Sequence, residues 1–239
     1  MAAISGLLGS ITYANGYTTL VDSWGMIIAA APQDLTPLSP TSNHQQLLTA
    51  GLLQGAGGQY TCKLAVDAVA DADMGGAIYD TNPHEWVFNS TCEAREITPF
   101  GASWRTYIDG LKTTSFIMTS YIDDTTVLPL AGSAGTATLT VTTGVNYSVP
   151  YVIQQVQGGV SAADEMRRIA MACLGSSLPT ANGSLPLAGT TGAATFVAKT
   201  GRQYSGTILV VGCVVAVNRP LSVGTISVDF VVNGAVTPG

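Results

Sequence analysis

Charge is scarce in this chain: Asp, Glu, Lys and Arg together make up 10% of its residues, and histidine occurs twice. Proteins that grip nucleic acid cluster Lys and Arg to neutralise phosphates, and here only Arg167 and Arg168 stand together, so that class is excluded. Long apolar runs are missing too. The longest candidate, "TILVVGCVVAV" at Thr207–Val217, is well short of the roughly 18–20 residues a membrane helix needs and reads as a buried strand. No membrane partner is expected. The first residues, "MAAISGLLGS", lack the basic start and long apolar centre of a secretory signal, so synthesis in the cytoplasm is the expectation. Cys62, Cys92, Cys173 and Cys213 show neither a Cys-x-x-Cys pair nor Cys/His ligand spacing, which excludes the common zinc sites and predicts free, mostly buried thiols. Cys62 and Cys92 fall on the apolar faces of two predicted strands, where a disulfide is conceivable, but a reducing cytoplasm disfavours it. His44 and His84 have no partner at ligand or triad spacing. Neither a metal, a cofactor nor a catalytic residue is expected.

What the sequence has in abundance is material for sheet and turn. It runs to 239 residues, 46% of them hydrophobic, with 27 glycines and an excess of Thr, Ser, Val and Ala, enough for one large β domain. The net charge of −6 gives an acidic molecule that a polyanion would not stick to. So little charge on so large a chain also suggests that partners cover much of the surface.

Period-two alternation predicts about nine strands. "GSITYANGYTTLVDSWGMIIA" alternates on both sides of Ala14, Asn15 and Gly16, and an Asn-Gly step suits a tight hairpin turn. In "QYTCKLAVDAVAD" (59–71) Tyr60, Cys62, Leu64 and Val66 share a face, and "EWVFNSTCEAREI" (85–97) is its expected partner. Strands follow at 113–123, on both sides of Gly144 within 136–157, and in three stretches from 193 to the end. One helix is predicted at 161–175, with Ser161 as cap, Asp164 and Glu165 in the first turn, and a stripe of Met166, Ile169, Ala170 and Cys173 before Gly175. The segment 31–59, rich in Pro and Gly, reads as a long loop with a short helix at 44–53, the kind of insertion that serves as an arm toward a neighbouring subunit. The expected fold is a single mainly β domain over 1–239: two packed antiparallel sheets, a sandwich or partly closed barrel, flanked by one α-helix, with an extended arm or insertion at about 31–93.

One stretch is distinctive: "ITPFGASWRTYIDGLKTTSFIMTSYID" at 97–123 sets Trp104 and Arg105 in a Gly/Ser turn, then Ile108, Gly110, Leu111 and Lys112, then a strand. Together with the Val21–Trp24 hairpin and the closing "GRQYSGTILVVGCVVAV" and "GTISVDFVVNGAV", this order resembles the tail tube proteins of long-tailed bacteriophages. The resemblance covers roughly the first 30 residues, 96–123 and 193–236; the material at 31–93 is larger than a minimal tube subunit needs. It implies a structural virion protein without enzymatic activity, joining copies of itself in six-fold rings that stack into a tube. Other tail proteins would be its partners, and viral double-stranded DNA would pass through the lumen unbound. The product would reside in the virion tail. In that setting Trp104 is a fold corner that buries apolar surface, Arg105 bridges a carboxylate with Asp109 as a candidate, and Lys112 is a rim charge at a possible contact between subunits. The threonine faces of 136–142 and 113–121 are candidate walls of the bore.

Two other classes fit less. A capsid decoration or head-to-tail connector subunit would attach to an existing surface without elongating. A hydrolase would need a nucleophile with its base or two carboxylates in one cleft, and Asp71, Asp73, Asp80 and Glu85 lie in Gly-rich sequence that reads as loop.

Overall fold

Alternation becomes strand throughout the computed structural model, which describes residues 10–13, 18–34, 47–65, 71–75, 83–121, 130–160, 165–173, 179–183, 185–199, 201–218, 221 and 223–239. The strands are β1 (Ser10–Tyr13), β2 (Thr18–Asp34), β3 (Leu47–Ala65), β4 (Asp71–Gly75), β5 (Pro83–Glu96), β6 (Tyr107–Tyr121), β7 (Ala134–Thr142), β8 (Val145–Val160), β9 (Glu165–Cys173), β10 (Thr180–Asn182), β11 (Thr191–Lys199), β12 (Arg202–Asn218) and β13 (Val223–Pro238). All thirteen belong to one antiparallel sheet in the order β11-β1-β2-β3-β13-β12-β5-β6-β9-β8-β7-β4, with β10 added on β8. The fold is mainly β, as the composition predicts; the hydrogen bonding makes one continuous sheet where two were expected.

Strand β12 is where that sheet forks. Its first half pairs with β11, from Thr191↔Leu209 to Lys199↔Arg202, and its second half pairs with β5, from Gly212↔Thr91 to Asn218↔Glu85. Along its other edge it pairs with β13, and the register shifts at Gly206/Ile208 and Val210/Gly212. An extra residue bends and twists a strand, which lets one strand serve two directions of sheet. Because β11 pairs with both β12 and β1, the pairings β11-β1-β2-β3-β13-β12 return to their start. Beyond β5 the sheet curls until Phe88 of β5 stacks on Tyr147 of β8, ring centroids 4.3 Å apart, although two strands lie between them in the ladder.

Inside the curl is one core. Trp86, Phe88, Phe116, Met118, Leu139, Tyr147, Tyr151, Ile169, Met171, Phe196, Val215, Val228 and Phe230 are all buried within it. Alternation explains the selection: on β7 Ala137, Leu139 and Val141 point in while Thr138, Thr140 and Thr142 are half-exposed, and on β6 Phe116 and Met118 point in between Ser115, Ile117 and Thr119. Segment 185–190 closes a gap in the curl, with Leu185 and Ala188 buried and the Pro186 carbonyl accepting from the Tyr147 hydroxyl at 2.7 Å and the Cys213 thiol at 3.3 Å.

Three expectations are corrected. The helix at 161–175 is replaced by β9 over Glu165–Cys173, which fills the space between β6 and β8 and pairs with both; no helix occurs among the described residues. Met166, Ile169, Ala170 and Cys173 do make a helical stripe, but Ile169 and Met171 bury equally well at period two, and two flanking ladders demand a strand. Of the expected 31–59 loop and its 44–53 helix, residues 31–34 and 47–59 are strand instead, since β2 runs to Asp34 and β3 starts at Leu47, paired as far as Asp34↔Leu47, while 35–46 lie outside the described residues. Strand β4 appears in sequence that reads as loop, and β10 adds a further short strand, so the strand count exceeds nine. The expected Asn15-Gly16 turn lies outside the described residues, but the strands it would join, β1 and β2, pair antiparallel from Ser10↔Leu20 to Thr12↔Thr18.

Candidate assembly surfaces

The corner between β5 and β6 is the element that the sequence singles out, and its geometry redistributes the expected roles. Arg105 does not reach Asp109: its Nη1 lies 3.3 Å from Glu96 Oε2, while the other Glu96 oxygen accepts from the Thr98 hydroxyl at 2.7 Å. The Arg105 Nε is buried without a hydrogen-bond partner. Lys112 is the residue that pairs with Asp109, Nζ to Oδ2 at 2.8 Å, and this ammonium holds the Asp109 carboxyl below its ordinary value, by its hydrogen bond first and its charge second. Lys112 is no free rim charge. Its side chain lies on Gly189, which has φ +84°; a Cβ there would run into Lys112 Cε. Trp104 is half-buried.

Two residues that sequence reasoning missed fasten this corner to the body. Asn233 of β13 accepts from the Tyr107 amide at 2.8 Å and donates to the Tyr107 carbonyl at 2.9 Å, so one side chain replaces a piece of ladder. Next to it the Gly234 amide donates to the Arg105 carbonyl at 2.9 Å, with φ +96°. The signal was an Asn-Gly step inside an otherwise alternating strand, a pattern that marks a local irregularity. Around the fastened corner Phe100 is fully exposed, Leu111 is 68% exposed and Ile97 52%, a run of apolar side chains facing solvent.

A second surface is the β2–β3 ribbon. Strand β1 pairs with β2 only over Thr18–Leu20, and β13 pairs with β3 only over Gly58–Ala65. From Ile28↔Gly55 outward the two strands pair with each other alone among the described residues, which leaves both outer edges without a described partner strand. Ile27 is 63% exposed and Ile28 42%. Where the ribbon leaves the body, Gly57 and Gly58 are required by close approach: a Cβ on Gly58 would strike the Gly25 carbonyl, and Gly57 has φ +100° beside the Phe230 carbonyl.

No group of three or more His, Cys, Asp or Glu able to hold a metal occurs among the described residues. Asp71 and Asp73 lie on β4 and Glu85 on β5, while Asp80 and His44 fall outside the described residues. All four cysteines are unbridged; Cys62 on β3 and Cys92 on β5 are separated by β13 and β12 in the sheet. Burial pushes the Cys213 thiol up to about 12, the opposite of an activated nucleophile. Arg168, expected on a helix, is exposed on β9. Comparison with protein families, with characterised proteins and with solved structures gives no match.

Proposed function

We propose that the chain is a structural, non-catalytic phage protein whose copies join in rings, stack into a tail tube and form a conduit for DNA; six copies per ring is what the resemblance implies. The observation that carries this reading is the β2–β3 ribbon. A two-stranded hairpin is marginal in water on its own, and open edges with exposed isoleucines are a liability unless another chain completes them. A second copy supplying that pairing is head-to-tail, and such contacts either close a ring or propagate a filament. The corner around Trp104, Arg105 and Lys112, with Phe100 and Leu111 exposed beside it, is a second contact region. The sheet folded back on itself, Phe88 on Tyr147, is how we read the two-layer, partly closed architecture of such a subunit. An acidic chain of net charge −6 gives DNA nothing to hold, and the outward threonines of β7 suit a passive wall.

Purified chain, followed by light scattering and negative-stain microscopy across a concentration series, tests the reading: rings or tubes are expected, growing with concentration. A monomer at every concentration, also when tail initiator proteins are added, defeats it. Saturable attachment to a capsid or portal without elongation assigns the chain instead to the decoration or connector class.

A further inference from the structure

The outward side of β3, β13, β12, β5 and β6 carries a feature that the tube reading does not use. Register places its residues in rows across the sheet. One row runs Thr61, Ser227, Val214, Asn89, Ser115, and the next runs Lys63, Thr225, Ala216, Val87, Ile117. The only charge in these rows is Lys63, at the edge. The flanking rows hold the other charges: Asp229 with Gln59 and Thr91 on one side, Glu85 with Asn218 and Thr119 on the other. Val87 and Val214 are 37% and 38% exposed, on adjacent strands near the centre of the face. Three pairs of polar side chains on this face bond to each other, Ser23 to Thr61 at 2.7 Å, Gln59 to Ser227 at 3.2 Å and Asn218 to Glu85 at 3.5 Å.

An aliphatic centre, a ring of small hydroxyls and amides, and a charged border is the layout of a protein-binding surface, in which charge is depleted at the core and kept at the rim. Five strands about 4.8 Å apart, each presenting four outward positions about 6.8 Å apart, span roughly 650 Å², close to the ~800 Å² that a standard association covers on each partner. The border carries both signs, Lys63, which lies 3.9 Å from Asp22 of β2, together with Asp229 and Glu85, so a surface of this same chain can meet it in a register that sets unlike charges together. We infer that this charge-poor face is covered by a second copy of the chain, with Val87 and Val214 at the centre of the contact. The contact is distinct from the β2–β3 ribbon and does not require that the copies form a tube.

The test uses the full chain in three forms: unsubstituted, with Val87→Lys and Val214→Lys together, and with Asn89→Cys. Sedimentation across a concentration series should show the unsubstituted chain associating, and the double lysine variant needing at least about tenfold more protein to reach the same mass, with an unchanged far-ultraviolet spectrum. Should the lysine variant misfold, Asn89→Cys, a small substitution on the exposed side, still decides: a small maleimide should label it at least about tenfold more slowly in assembled than in dilute, dissociated protein, the unsubstituted chain giving the background. Equal labelling rates overturn the inference, because the face then lines open solvent or a bore; so do association of the folded lysine variant at the unsubstituted concentration, or a monomer at all concentrations. Tubes that grow while position 89 labels freely would leave the proposed function standing and remove this contact alone.

Discussion

A single ion pair shows how side chains at the corner are tied to backbone geometry. Lys112 reaches Asp109 because Gly189 leaves it room, and Asp109 responds with a carboxyl below its ordinary value. A lowered carboxylate contributes stability above its unfolded value and loses that contribution as pH falls through its folded value. Replacing Lys112 by Met should therefore raise the Asp109 pKa toward the ordinary range, as followed by carboxyl chemical shift during an acid titration. An unmoved titration would show that the ammonium is not the cause. Asn233 makes a sharper case, since its two hydrogen bonds to Tyr107 have no substitute in the sheet. Asn233→Ala should cost about 1–3 kcal/mol in urea unfolding, more than a typical surface change. The thiols give a third check: Cys62, Cys92 and Cys213 are buried and Cys173 half-buried, so one fast-reacting thiol per folded chain is expected with a small disulfide reagent at neutral pH, against four after unfolding.

Elements were legible where one face of a strand is buried and the other is wet. Strands β5, β6, β7 and β13 have alternating buried and outward positions, so period two survives in their sequence. Strand β9 is short, and its second half is apolar on both faces, with half-buried Ala170 and Ala172 alternating with buried Ile169 and Met171; such a segment fits helix and strand templates alike until its neighbours' ladders choose. The ribbon was hidden because its Ala, Leu and Gly residues show no period-two pattern; over Ile28–Asp34 and Leu47–Gly55 its two strands pair only with each other among the described residues. At the corner, Trp104, Arg105 and Lys112 were visible as unusual residues, but Glu96 and Gly234 as partners of Arg105, and Gly189 under Lys112, were not, since pairing between segments leaves no mark on local spacing. If the ribbon's role is assembly and not folding, Ile27→Lys with Ile28→Lys should leave the unfolding free energy of the dissociated chain within about 0.5 kcal/mol while abolishing rings and tubes under the microscope. A large loss of stability would instead make the ribbon part of the fold's own support.

At the scale of the whole molecule, the forked strand β12 joins the closed run of β11, β1, β2, β3 and β13 to the curled run of β5, β6, β9, β8, β7 and β4. Both runs bury their side chains in the same core, so neither has an interior to keep if the other opens. Contact across the curl is concentrated where Phe88 stacks on Tyr147 and the Tyr147 hydroxyl meets the Pro186 carbonyl, beside Cys213 of β12. Removing the ring with Phe88→Ala should cost about 3–5 kcal/mol by lost burial and residual cavity. Coupling is the more telling quantity: in a double-mutant cycle with Phe88→Leu and Tyr147→Leu, the stacked pair should show about 0.5–1.5 kcal/mol beyond additivity, because β5 and β8 touch there without being ladder neighbours. Fluorescence and circular dichroism should report the same single transition for dissociated chain. Two separated transitions, one insensitive to Phe88→Ala, would mean that the fork at β12 divides the molecule into units that fold independently, and the single core would not be what holds them together.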